Sequence, residues 1–275
     1  YMMHLNCPTI NTMGVTIPGA PGIIIGFNDN ISWGVTNGND DVMDWYDITF
    51  KDANKDEYLY DNNWLPIIKI IEEIKIRDSE IFMDTISYTH HGPIVWDFKY
   101  YPKDSMIVHD NYGIALQWTA HDSTNELLSF YLLNKASNYE EFKTSLKKYD
   151  CPGQNFIYSD INDNIAILHS GKNPIKFNRQ GMFISDGSDP YYDWDNQAST
   201  PDYIPFEHKI FDKNPNPRWY LTSANQNPIH NNTDYYYLSE HFAPSYRATQ
   251  IHKMINDKNT NMTIQDMINI QLDNT

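Results

Sequence analysis

An α+β fold, read as a single domain over residues 1–275, is what the sequence predicts, and three observations carry it. Short β-rich runs bounded by Gly, Pro, Asn and Asp fill residues 1–120. Helical periodicity begins only at Ser123, and no internal repeat or low-complexity linker divides the chain. Hydrophobic residues make up 40% and aromatic residues 14% of the 275. That is enough apolar material for a large core and excludes a disordered chain.

Taken in order, strands are expected at 13–17, 23–27, 31–36 and 42–50. The string FNDNI at 27–31 has the Asn/Asp content of a tight turn, because these residues tolerate positive φ. It joins two antiparallel strands, and DINDN at 160–164 does the same later. IIKIIEEIKIRD at 67–78 is helix-like by composition, but its β-branched excess and the following IFMDTISYT at 81–89 favour a hairpin. Ser123-Thr124-Asn125-Glu126 offers an N-cap, after which Leu127, Leu128, Tyr131 and Leu132 recur on one helical face. Ser137 caps a second helix through Tyr139, Phe142, Leu146 and Tyr149, and Cys151-Pro152-Gly153 breaks it. Strands resume at 154–159 and 165–169. Residues 172–218 carry few periodic runs, and helices return at 246–255 and 264–272.

Charge narrows the function classes. The chain has 36 acidic and 20 basic side chains and a formal charge of -16, which repels phosphate backbones and anionic lipid surfaces. Nucleic acid and membrane partners are therefore excluded as expectations. The apolar runs at 23–26 and 67–71 fall far short of the roughly 20 residues that span a bilayer. A polar fraction rich in Asn, Asp, Tyr and Trp and poor in Lys and Arg reads as that of an exported protein, periplasmic or extracellular. The start at Tyr1 and the helix-like end at Thr275 read as a piece of a longer chain. Two cysteines, Cys7 and Cys151, build no disulfide framework, although one bridge between them stays open. Each stands beside a proline with no basic neighbour to lower its pKa, as expected of inert thiols.

Few strings announce chemistry. His90-His91 lacks the helical spacing of a zinc motif and reads as structural. No G-x-S-x-G elbow is present, Gly187-Ser188-Asp189 falls in a loop, and no catalytic triad can be read. The string GNDDVMDWY at 38–46 places Asp40, Asp41 and Asp44 within five residues. Hard carboxylates at that density are either half of a calcium site or a solvated acidic turn, and spacing alone leaves both open. A second acidic stretch, 186–195, reads as a surface loop.

The strings together resemble the penicillin acylase (penicillin amidase) family of N-terminal nucleophile hydrolases. They are GVTIPGAPGIIIGFN at 14–28, ISWGVT at 31–36, the Asp41/Asp44 turn, THHGPIV at 89–95 and LQWT at 116–119. QNFIYSD at 154–160 follows with Asn164, Ile165 and Gly171, then IPFE at 204–207, ANQNP at 224–228, SYRA at 245–248 with Ile251, and IQLD at 270–273. The resemblance implies a four-layer αββα sandwich in which an N-terminal Ser of the β-subunit attacks an amide and its own α-amine serves as base. Such chemistry needs no His-Asp relay. The Ser would lie upstream of Tyr1, this chain would be the central part of the β-subunit and inactive alone, and the partner would be an α-subunit cut from the same precursor.

For the site, the resemblance implies that the oxyanion is held by the backbone N–H of Asn37 and the side-chain amide of Asn225, with Arg247 orienting the group. It implies structural calcium on the carboxylates of Asp41 and Asp44 and the carbonyls of Met43 and Pro205, with Asp234 the nearest further carboxylate. No organic cofactor is expected. Ile24 and Ile25, strand core by pattern, would line the acyl pocket. The substrate would be a small linear acyl amide, such as a β-lactam side chain or an acyl-homoserine lactone. Read without the resemblance, Asn37 and Asn225 are turn residues and Arg247 a surface arginine. The rival readings are an inactive family member that binds and a calcium-dependent glycan-binding module.

Overall fold

The structure is a computed structural model that describes residues 1–97, 111–194, 206–208, 220–227, 239–258 and 261–274. Fifteen strands and four α-helices are formed within these residues. One sheet has the order β1 (Met2–Cys7), β2 (Ile10–Val15), β3 (Ile25–Asn28), β4 (Ile31–Asn37), β12 (Gln154–Asp160), β13 (Ile165–Ser170) and β15 (Phe206–His208). A second has the order β14 (Ser185–Asp186), β5 (Met43–Thr49), β11 (Tyr112–Trp118), β10 (Gly92–Asp97), β9 (Phe82–Thr89) and β8 (Ile68–Ile74). A hairpin of β6 (Glu57–Tyr60) and β7 (Asn63–Pro66) stands apart. Every pairing is antiparallel except β14 on β5.

The turns form as their residues dictate. Asn28 Oδ1 accepts from the backbone N–H groups of Asn30 and Ile31, closing the β3–β4 turn. Asp160 Oδ1 does the same for Asn162 and Asn164, with Asp163 at φ 63°. Strands β8 and β9 pair from Ile68↔Tyr88 to Ile74↔Phe82, so the β-branched run at 67–78 is a hairpin arm, as expected.

The helices start later than the capping serines suggested. Helix α1 (Glu126–Lys135) is capped by Asn125, whose side chain accepts from Leu128 N, and α2 (Tyr139–Leu146) by Asn138, which accepts from Glu141 N. Ser137 instead binds back to Glu141 Oε2 through its N–H and hydroxyl. Helices α3 (Tyr246–Lys258) and α4 (Ile264–Leu272) fall where periodicity placed them, and Thr263 with Asp266 forms a capping box on α4.

Helices α1 and α2 cover one face of the seven-stranded sheet, and Leu133, Phe142, Leu146 and Tyr149 bury against Ile31, Trp33, Phe156 and Tyr158. A smaller core of Tyr46, Ile48, Phe50, Tyr58 and Ala115 joins the second sheet to the β6–β7 hairpin. Ile23, fully buried, is the core residue of its run; Ile24 is half-buried and Ile25 is 38% exposed, a correction to the reading of both as strand core. The reason is steric. Gly14 and Gly26 pair across β2 and β3, and a Cβ on either would lie 2.6 Å from Ile23 Cγ2, so only glycines leave room for that side chain. Cys7 and Cys151 are both free thiols, so no bridge joins them.

Candidate active site and the adjoining acidic turn

The three residues expected around the oxyanion come together from three separate elements. Asn37 ends β4, Asn225 lies in the segment 220–227, and Arg247 opens α3. Asn225 Nδ2 donates to the Asn37 carbonyl at 3.0 Å. Arg247 Nη2 donates to Asn225 Oδ1 at 2.6 Å and to the Ala224 carbonyl at 3.0 Å. A guanidinium only donates and a carbonyl only accepts, so these partners fix which end of the Asn225 amide is nitrogen. One amide N–H is spent on Asn37, and among the described residues no acceptor meets the second.

The surrounding bonds hold Asn225 in that pose. Its backbone sits at φ 64°, a left-handed conformation that asparagine tolerates. Its carbonyl accepts from Ala243 N at 2.9 Å and from Asn39 Nδ2 at 3.3 Å. On one side Ser223 Oγ meets Thr36 Oγ1 of β4. On the other, Tyr220 and Thr222 bond the two ring nitrogens of His252 on α3, at 2.9 and 3.2 Å. The segment is thus strapped between the strand that ends in Asn37 and the helix that carries Arg247.

Directly after Asn37 the chain enters the acidic turn, and each of its carboxylates is already matched. Gly38 N donates to Gly153 O at 2.9 Å. Asp40 Oδ2 lies 2.8 Å from His169 Nε2 with both side chains almost fully buried, and Asn155 Oδ1 meets the other ring nitrogen at 2.8 Å. Lys176 Nζ lies 3.0 Å from Asp41 Oδ1 and 2.8 Å from Asp44 Oδ1. Trp194 Nε1 donates to Asp44 Oδ2 at 2.6 Å. The described part of this stretch, 186–194, is therefore more than a surface loop, since Trp194 bonds the buried Asp44, while residue 195 lies outside the described residues. His169, Lys176 and Trp194 carried no signal in the sequence, because each meets its aspartate across more than a hundred residues.

Calcium can be tested against this arrangement. The ion needs six to eight oxygens at about 2.3–2.6 Å. Here both oxygens of Asp44 face donors, an ammonium and an indole N–H, and one oxygen of Asp41 faces the same ammonium. Asp40 Oδ1 is buried without a partner, but it is one atom under Gly38, not part of a ligand shell. As folded, the turn does not fit the ion. Met43 lies in β5 opposite Trp118, and Pro205 falls outside the described residues, as does Asp234.

Among the described residues, three metal-ligating side chains converge within 4.8 Å only at His90, His91 and Asp193. The reading of the two histidines as structural is supported by their partners. His91 stacks on Tyr46 at 3.8 Å and bonds the Gly187 carbonyl through Nε2, while His90 Nδ1 meets the Tyr58 hydroxyl at 2.9 Å. Burial pushes the His91 pKa down to about 4, reinforced by His90 beside it, and burial lowers His90 also. His91 is neutral at pH 7, so its 3.9 Å approach to Asp193 is not an ion pair. Both histidines line a cavity of about 400 Å³ that touches none of Asn37, Asn225 or Arg247.

Comparison with known proteins decides the family. The penicillin amidase family model matches residues 1–275. The chain belongs to the penicillin amidase family. It is 26% identical over 277 residues to the acyl-homoserine lactone acylase QuiP of Pseudomonas aeruginosa, covering 99% of this chain and 32% of that protein. It is 27% identical over 228 residues to QuiP of Pseudomonas syringae pv. syringae, covering 82% of this chain and 26% of that protein. With the penicillin G acylase of Escherichia coli it shares 25% over 174 residues, 63% of this chain and 20% of the other. The thermostable penicillin G acylase from Alcaligenes faecalis superposes with a TM-score of 0.70 at 22% identity, over 98% of this chain and 46% of that one. The fold is thus α+β and shared with a penicillin G acylase, as expected. The chain spans about a third or less of the length of the QuiP relatives.

Proposed function

We propose that the protein containing this penicillin amidase chain is an amide hydrolase that cleaves a linear acyl amide, of the acyl-homoserine lactone or penicillin side-chain class. Family membership supports the reaction class. The observation that carries the reading to this chain is the bonded series from Arg247 through the Asn225 amide to Asn37. It is a preorganised donor, pinned by a fixed cation, at the mouth of a strand end. Such donors stabilise the charge that develops on a carbonyl oxygen during acyl transfer.

In this reading the nucleophile is an N-terminal Ser on the polypeptide preceding Tyr1, with its α-amine as base. That amine must be unprotonated, so activity falls with acid from its ordinary pKa of about 7.7–8.0 unless the site lowers it. Arg247 orients Asn225, and Ile24 and Ile25 contribute to the acyl pocket. An α-subunit from the same precursor completes the enzyme, and the composition supports a periplasmic or extracellular location.

The test is hydrolysis by the complete protein of a panel of acyl-homoserine lactones and phenylacetyl amides, beside its Asn225→Ala variant. Loss of one oxyanion donor is expected to lower kcat about 10²–10³-fold with little change in KM. Equal rates in the two proteins would sink the assignment.

A further inference from the structure

We propose that the cation held by the acidic turn of this protein is its own Lys176 ammonium, which closes the turn to calcium. The Lys176 side chain is 1% exposed, and that of Asp44 is fully buried. Its nitrogen sits between Asp41 Oδ1 and Asp44 Oδ1 at 3.0 and 2.8 Å, and the face of Trp194 covers it at 5.4 Å. A buried ammonium is tolerated only where charge partners offset its lost hydration, and two carboxylates do so here.

The polarity around the turn points the same way. Besides Lys176, the group that reaches Asp44 is the Trp194 N–H, a donor, and donors aimed at a carboxylate repel a metal ion placed among them. To admit calcium, Lys176 would have to leave both carboxylates, taking an unpaired charge with it through the protein interior. The backbone keeps it in place. Strand β14 pairs parallel to β5 at Ser185↔Tyr46, which pins the segment following Lys176 beside Asp44. Gly181, at φ 78°, lies so close that a Cβ would fall 1.7 Å from Asp44 Oδ1.

The consequence concerns the site. The turn begins one residue after Asn37, so a covalently tethered cation fixes the position of the expected oxyanion donor without any exchangeable ion.

Metal content and thermal denaturation of the complete protein test this independently of activity. After dialysis against calcium-free buffer, the wild type is expected to hold no calcium that depends on Asp41. EDTA should leave its Tm unchanged, and Lys176→Arg should keep most of the stability. Lys176→Met should lower Tm, and the loss should shrink when Asp41→Asn is added, because the second change removes one stranded charge. One calcium per molecule retained by the wild type and lost in Asp41→Asn would overturn the proposal, as would a wild-type Tm that drops on chelation and recovers with calcium. The wild-type measurements decide the matter even if Lys176→Met fails to fold.

Discussion

Asn134 offers a quantitative test of how the helical layer positions the β2–β3 region. It lies within α1, is 2% exposed, and reaches out of its helix to the backbone of Ile23. Its Oδ1 accepts from Ile23 N at 2.8 Å, and its Nδ2 donates to Ile23 O and to Phe130 O, each at 2.8 Å. Replacing it by leucine keeps the branched shape and opens no cavity for water, but leaves the Ile23 N–H and C=O buried without partners. Two such groups cost about 2–6 kcal/mol together, since each costs about 1–3. The added apolar side chain returns about 2 kcal/mol. With the centre of the first range near 4, the net loss is about 2 kcal/mol.

Hydrogen exchange followed by mass spectrometry reads this locally, which matters in a large protein where global unfolding is not a single transition. In Asn134→Leu, amides of the peptide covering residues 19–28 should exchange about 30-fold faster, since 1.4 kcal/mol is a factor of ten. Peptides from β8 and β9, which belong to the other sheet, should be unchanged and serve as the internal control. Unaltered protection at 19–28 would show that the side-chain bonds to Ile23 contribute nothing and would refute the reasoning.

Two further outcomes are expected. Arg247→Met in the complete protein should lower kcat while leaving KM nearly unchanged, because Asn225 loses the donor that orients it; Arg247→Lys should restore part of the rate, and an unchanged kcat in Arg247→Met would rule out the orienting role. For pH, the neutral His91 of the folded state has a pKa of about 4 against an ordinary value of about 6.5. Between those values the unfolded chain binds more protons than the folded one, so the His91 contribution is fully present above pH 6.5 and is lost as pH falls toward 4. The loss amounts to about 3 kcal/mol. Thermal denaturation of the wild type and His91→Gln between these pH values should show a steep decline in the first and a flatter one in the second.

Much of the fold was legible because its signals are local. Turn asparagines bond backbone two or three residues away, β-branched runs mark strands, and α4 carries its capping box within four residues. The capping serines misled by one or two positions because Asn125 and Asn138, just behind them, offer the better-placed acceptor. Ile24 and Ile25 were misread for a different reason: a run of three isoleucines does not say which one faces the helices, and the Gly14–Gly26 pair, which decides it, lies on two strands.

The same division holds for the site. The sequence by itself determined the family strings and the α+β class, and it singled out Asn37, Asn225 and Arg247 as candidates, since these ride on recognisable local motifs. Spacing left open the fate of the carboxylates at 40, 41 and 44, and the family resemblance implied calcium on Asp41 and Asp44. Only the tertiary structure decided that His169 takes the first and Lys176 the other two. A carboxylate's partner is whatever charge the fold brings within about 3–4 Å, and chain separation carries no information about that distance.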